Sequence, residues 1–195
     1  NGTNSGHVRV HQYSSGSWSQ IGSDIDGEAA GDESGYSVSL SDDGNVVAIG
    51  AIKNDGNGSN SGHVRVYQYS NNSWTQLGDD IDGEAAYDRS GHSVSLSSDG
   101  TIVAIGAYNN DGTALNAGHV RVYQYSSGSW TQLGGDIDGE GASDLSGWSI
   151  SLSSDGTIVA IGANYNGAAD GHVRVYQYNA SKTSAVSDQG QSNFG

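Results

Sequence analysis

The sequence predicts an all-β fold, a β-propeller-like array of four-stranded antiparallel blades, and three observations predict it. The pentapeptide GHVRV recurs at 6–10, 62–66, 118–122 and 171–175, which places its histidines at His7, His63, His119 and His172, 56, 56 and 53 residues apart. A unit of about 56 residues holds one small sheet but is too short to bury that sheet alone, so neighbouring units must stack. Within each unit, apolar residues alternate with small polar ones, and no segment carries the 3.6-residue apolar period of a helix. The chain also contains 31 glycines and no proline, a composition suited to many short strands and tight turns.

Residues 36–91 serve as the reference unit. Tyr36, Val38 and Leu40 alternate with serines, giving a first strand with one large and one small face. Asp43-Gly44 is a two-residue hairpin signal, since glycine accepts the positive φ such turns need. VVAIGA at 46–51 follows, an apolar run suited to burial on both faces. The segment from Lys53 to Gly62 is, after the lysine, Asn, Asp, Gly and Ser, the chemistry of a loop. The third strand, GHVRVYQY, puts Val64 and Val66 on one face and Arg65, Tyr67 and Tyr69 on the other. SNNS turns the chain into a fourth strand led by Trp74, and DDIDGEAAYDRSG connects to His92, which stands where Tyr36 stood. Small residues (Ser37, Ser39, Ala48, Gly50 and Ala51) face neighbouring units and let sheets approach closely.

Repeating this pattern divides the chain into a partial blade at 5–35, blades at 36–91 and 92–147, a partial blade at 148–178, and a tail or linker at 179–195. That makes two complete and two partial units in one array. The first unit starts at its third strand and the last lacks a recognisable fourth. A closed propeller has roughly four to eight blades. Either the sequence is a window on a longer chain, or a neighbour completes the open sheets.

GYSVSLSDDGNVVAIGA and its later copies resemble the FG-GAP repeat, the blade of integrin-α-type propellers. Gly35, Ser37 and Val38 fit its first element, Ala48 to Ala51 its second, and Gly62, Val64, Val66 and Tyr67 its third. Gly91, Ser93 and Val94, then Gly147, Ser149 and Ile150, repeat the first match. The resemblance implies an extracellular, non-enzymatic binding or structural scaffold. It is a divergent one. The family's aspartate-rich calcium loop has shrunk here to DDG or SDG around Asp43, Asp99 and Asp155, so that calcium site is not carried over. Ser34, Ser90 and Ser146 replace the family's phenylalanine.

The formal charge of −15 excludes several partners. With no basic stripe to release counterions, the chain is not expected to bind nucleic acid, and anionic membrane surfaces are disfavoured likewise. No apolar run is long enough to span a bilayer. Cysteine is absent, so redox compartment is not legible. Sequons at Asn1, Asn57, Asn71 and Asn179 are glycosylation candidates for a secreted protein.

Four sets of repeat positions invite a functional reading. The connectors carry Asp24, Asp26 and Glu28, then Asp80, Asp82 and Glu84, then Asp136, Asp138 and Glu140, followed by Asp32, Asp88 and Asp144. Alternating carboxylates beside glycine can wrap calcium, or can cap a solvated connector. His7, His63, His119 and His172 fall one per unit, spread around a ring with no second ligand nearby in sequence, which argues against a shared metal. His11 and His92 replace tyrosine and point to aromatic packing. Arg9, Arg65, Arg121 and Arg174 share one position and are expected to pair with a carboxylate or stack on the tyrosine two residues later. Trp18, Trp74 and Trp130 read as anchors between sheets, or as sugar-stacking platforms.

No nucleophile–base pair stands out, so an enzyme is not expected. The expected role is an extracellular structural or adhesive module that associates with copies of itself, into an oligomer or filament, through its incomplete end blades. The alternative is a calcium-dependent or lectin-like propeller that binds surface glycans or matrix proteins.

Overall fold

The computed structural model describes residues 2–166, 170–179 and 187–188. Its elements follow the repeat. The partial first unit comprises β1 His7–Val8, β2 His11–Ser14, β3 Ser17–Gln20 and β4 Ile25–Asp26. Blade one comprises β5 Ser34–Leu40, β6 Val46–Ala51, β7 His63–Ser70, β8 Ser73–Gln76 and β9 Ile81–Asp82. Blade two comprises β10 Ser93–Leu96, β11 Ile102–Ala107, β12 His119–Ser126, β13 Ser129–Gln132 and β14 Ile137–Asp138. The last unit comprises β15 Ser146–Leu152, β16 Ile158–Ala163, β17 His172–Gln177 and β18 Ser187–Asp188. All strand pairs are antiparallel; the first four strands of each blade run in sequence order, while β9 and β14 return to β7 and β12 and β1 pairs with β4, as in an open array of propeller blades.

Three local features differ from the sequence reading. The first hairpin is not a two-residue turn at Asp43-Gly44. Ser41 donates its N–H to the Val46 carbonyl at 2.9 Å, leaving residues 42–45 as a four-residue loop. The two-residue hairpin lies instead between β7 and β8, where Asn71 and Asn72 have φ of 51° and 63°, the double positive φ of a type I′ turn. The acidic connector is also not wholly loop. Ile81–Asp82 pairs with Val64 and His63 on the same edge of β7 that β8 occupies farther along. The outermost line of the blade is therefore one strand in two pieces, broken between Gln76 and Ile81. Finally, the last unit does have a fourth strand, because Ser187–Asp188 pairs with Gln177 and Tyr176, inside the stretch read from sequence as tail or linker.

The core lies at the seams between blades. Val46, Ala48, Val64, Val66 and Ile81 of blade one pack against Val94, Leu96, Val103 and Ile105 of blade two. Ala104, Val120, Val122 and Ile137 of blade two meet Ile150, Leu152, Val159 and Ile161 in the same way. Each large side chain removed from water here contributes roughly 1.5–3 kcal/mol. The serines of the small face are polar clasps rather than spacers. Ser37 Oγ donates to the Gly91 carbonyl at 2.6 Å, Ser93 Oγ donates to the Gly147 carbonyl at 2.7 Å, and Ser39 Oγ accepts the Leu96 N–H at 3.0 Å. Among the described residues, no helix is long and apolar enough to cross a membrane.

Candidate functional site at the blade seams

Each of the first two seams gathers charged groups from three segments around one buried histidine. Because β7 alternates, His63 and Arg65 face the preceding unit while Val64 and Val66 face the next. Arg65 donates Nη2–H to the Asp26 carbonyl at 3.0 Å, lies 3.4 Å from Glu28 Oε1, and stacks over Tyr67 at 5.6 Å. Arg121 repeats this with Asp82 O at 2.8 Å, Glu84 at 3.6 Å and Tyr123 at 5.6 Å. Arg174 pairs with Glu140 at 3.1 Å and covers Tyr176. Arg9 differs: it is exposed and forms an ion pair with Asp24 at 2.8 Å, and this hydrogen-bonded arginine holds the Asp24 carboxyl down at about 2.

Beside each arginine, the histidine Nδ1 points at two carboxylates. His63 Nδ1 lies 3.9 Å from Glu28 Oε2 and 3.5 Å from Asp80 Oδ2. His119 Nδ1 lies 3.7 Å from Glu84 Oε2 and 3.9 Å from Asp136 Oδ2. His172 keeps the first contact, at 3.8 Å from Glu140 Oε2. Both His63 and His119 are 1% exposed. Burial pushes the His63 imidazole below its ordinary value and the His119 imidazole down to about 4, with the Arg121 charge adding to the latter. Burial also raises the Glu84 carboxyl. His7, in contrast, is exposed on β1.

The carboxylates of one connector thus separate. The first aspartate turns to the histidine of its own blade and the glutamate to the histidine of the next, so Glu28 meets Asp80 rather than Asp24 or Asp26. Asp26, Asp82 and Asp138 form the short outer strand pieces. Asp32, Asp88 and Asp144 are buried caps. Asp32 accepts the Ala29 N–H and the Asn54 amide, both at 3.1 Å, and Asp88 and Asp144 do likewise. The sequence reading missed the His–Glu–Asp groupings, although the spacing carried a signal: Glu and Asp stand 35 residues before and 17 residues after both His63 and His119.

In the shortened first-hairpin loops the carboxylates serve the loop itself. Asp99 Oδ1 accepts the Thr101 N–H at 2.9 Å and the Ser97 hydroxyl at 2.7 Å, and Asp43 and Asp155 act alike. These bonds favour the ionised form and lower all three carboxyls; for Asp99 the Thr101 N–H contributes most. The unfolded chain therefore takes up protons first on acidification. The stabilisation is complete above the ordinary carboxylate value near ~3.9 and is lost as pH falls through the lowered one. Thermal melts from pH 5 to 2 are expected to decline steeply below pH 4. Asp99→Asn, which keeps an acceptor without the charge, should flatten that limb; an unchanged slope would remove Asp99 from the account.

Trp74 and Trp130 clasp adjacent units, donating Nε1–H to the Ile21 carbonyl at 3.0 Å and the Leu77 carbonyl at 2.7 Å. Trp18 is instead 69% exposed, its ring tilted against that of exposed Tyr13 at 5.4 Å. His92 packs among Tyr36, Tyr108 and Trp148 across three units, whereas His11 is exposed. Asn71 sits in the exposed hairpin turn, while the Asn57 amide donates to the Gly83 and Glu84 carbonyls at 2.8 and 3.0 Å. Asn179 is half-buried, and Asn1 lies outside the described residues.

Two sheet faces at opposite ends of the array remain apolar and open. On blade one, Tyr36, Val38 and Leu40 are each about half exposed, although Leu96, the equivalent of Leu40, is buried. On the last unit, Ile158, Val173 and Val175 are exposed, although their blade-one equivalents Val46, Val64 and Val66 are buried.

Residues 24–67 and 81–123 match the model of the FG-GAP repeat. No curated protein matches the chain. Among solved structures, a candidate 6-phosphogluconolactonase of Bacteroides uniformis superposes with a TM-score of 0.62 at 13% identity, covering 95% of this chain and 48% of its own. A second candidate 6-phosphogluconolactonase, from Bacteroides fragilis, gives 0.53 at 14% identity over 84% of this chain and 39% of its own. Sqt1 of Saccharomyces cerevisiae gives 0.52 at 16% identity over 82% and 35%. The chain therefore spans half the length of these proteins or less, and what it shares with them is the fold. Over these two stretches the chain is similar to the FG-GAP repeat, and its four-stranded sheets stack as the blades of a β-propeller-like array.

Proposed function

We propose that this chain is a non-enzymatic, extracellular scaffold module whose units associate head to tail with further copies. The observation that carries this reading is the pair of open apolar faces. One presents the large side chains Tyr36, Val38 and Leu40; the other presents Ile158, Val173 and Val175 around the small Ala160 and Gly162. These are complementary sides of the seam formed between blades one and two and between blade two and the last unit; the partial first unit already covers Val47 and Ile49 of blade one with Val8 and Ile25, so a second copy would pack on the neighbouring Tyr36, Val38 and Leu40. Such a contact is heterologous and yields a ring or a filament. The exposed sequon at Asn71 and the FG-GAP match support an extracellular setting. The lactonase names belong to proteins of 13–14% identity, and one fold hosts many chemistries.

Light scattering on the chain should give a mass that rises with concentration. Leu40→Asp and Val175→Asp should each block one face and stop growth, while an equimolar mixture of the two should form a 1:1 dimer through the intact pair. A wild-type chain that stays monomeric at all concentrations, or a mixture that forms no dimer, would sink the proposal. The exposed Tyr13–Trp18 pair favours a second, lectin-like reading, for which a glycan array comparing wild type with Trp18→Ala is the test.

A further inference from the structure

We propose that Glu28, His63 and Asp80, and again Glu84, His119 and Asp136, are binding sites for a divalent transition-metal ion of the zinc type, one in each of the first two seams. In each cluster the histidine Nδ1 and one oxygen of each carboxylate all lie within 4.8 Å of one another. The Nδ1-to-oxygen distances of 3.5–3.9 Å lie beyond the usual hydrogen-bond range of roughly 2.7–3.2 Å. Two ligands about 2.0–2.1 Å from a tetrahedral zinc stand about 3.4 Å apart, so a small contraction would close the shell. His119 Nδ1 is buried and has no hydrogen-bond partner, and it is aimed between Glu84 and Asp136.

The outer shell is built as well. Each carboxylate has one oxygen turned to the histidine and the other facing a separate donor, hydrogen-bonded in the aspartates and ion-paired in the glutamates. Gln76 Nε2 binds Asp80 Oδ1 at 2.6 Å, and Gln132 Nε2 binds Asp136 Oδ1 at 2.7 Å. Arg65 and Arg121 approach the far oxygens of Glu28 and Glu84. Donors of this kind orient metal-ligating carboxylates. The Asn110 amide reaches Glu84 Oε2 only at 3.5 Å, the outer limit of a hydrogen bond. One neutral imidazole and two carboxylates match the charge of a divalent ion, and the nitrogen ligand disfavours calcium and magnesium. Three protein ligands leave a fourth position for water. The ion would tie the connector bearing the glutamate to the blade bearing the histidine and aspartate. This holds whether or not the end faces associate.

The test is calorimetric titration of chelator-treated chain with zinc chloride, paired with thermal melts in zinc, calcium or magnesium. Two zinc ions per chain should bind, and zinc alone should raise the melting midpoint. Asp136→Asn should lose one site, with at least a tenfold fall in affinity there, and Asp80→Asn with Asp136→Asn should lose both. The half-exposed Glu84→Gln gives the same reading should Asp136→Asn fail to fold, circular dichroism reporting folding in each case. No zinc binding means that water alone bridges these groups, and overturns the proposal. So does zinc binding that survives the double substitution, or calcium stabilising as well as zinc.

Discussion

Gly106→Ala should lower the thermal midpoint by roughly 6–15 °C, while the same change at the equivalent Gly162 should move it by no more than about 2 °C. A methyl group on Gly106 would overlap the carbonyl oxygen of Gly147 in the next unit and the hydroxyl of Ser93, which donates to that carbonyl. Backbone held in a seam cannot step aside as a side chain can. Overpacking together with loss of the clasp is expected to cost about 3–4 kcal/mol, and each kcal/mol corresponds to about 2–4 °C in a chain of this size. At Gly162 the added methyl meets the Ser149 hydroxyl of its own sheet and no backbone from a neighbour. That hydroxyl can rotate, and the smaller entropy of the unfolded alanine chain offsets the remaining strain. Equal losses at the two sites would show that close approach between units is not what selects glycine here.

Ile105→Ala is expected to cost about 3–4 kcal/mol, within the range for emptying a packed isoleucine site. Ile105 is 1% exposed and belongs to the cluster that joins blades one and two. Because blade one contacts blade two through this seam, the cavity weakens coupling between these units as well as total stability. In a repeat array, stability sums unit and interface terms, so weakening an interface separates the melting of its neighbours. Urea unfolding followed by tryptophan fluorescence should therefore broaden or split. A single transition with unchanged slope and a loss under 1 kcal/mol would contradict this.

Much of the fold was legible because strand alternation and a 56-residue period are local signals. Val64 and Val66 read as one face and Arg65 and Tyr67 as the other, and the seams use them in that way. Arg65 and Arg121 make both the carboxylate and the tyrosine contacts that their position implied. The break in the outer strand was not legible, since Ile81–Asp82 pairs only because β7 extends beyond β8. The histidine clusters escaped for a different reason. Their members stand 35 and 17 residues apart, and the glutamate comes from the connector before the blade. Reading each acidic connector as a unit grouped Glu28 with Asp24, whereas the sheet stacking groups it with His63. The serines looked like spacers because a hydroxyl that reaches the next blade leaves no trace in its own strand.

The broken outer strand also limits what this edge of the sheet offers to another chain. An intact outer strand would offer a continuous row of free N–H and C=O groups, a template for lateral pairing between chains. Here that row is interrupted between Gln76 and Ile81 and again between Gln132 and Ile137, with Asp79, Asp80 and Asp136 at the gaps. Like charges and a displaced backbone oppose side-by-side zippering. This edge is therefore a poor template for side-by-side strand addition, which keeps the blades from zippering laterally into a two-dimensional β-aggregate.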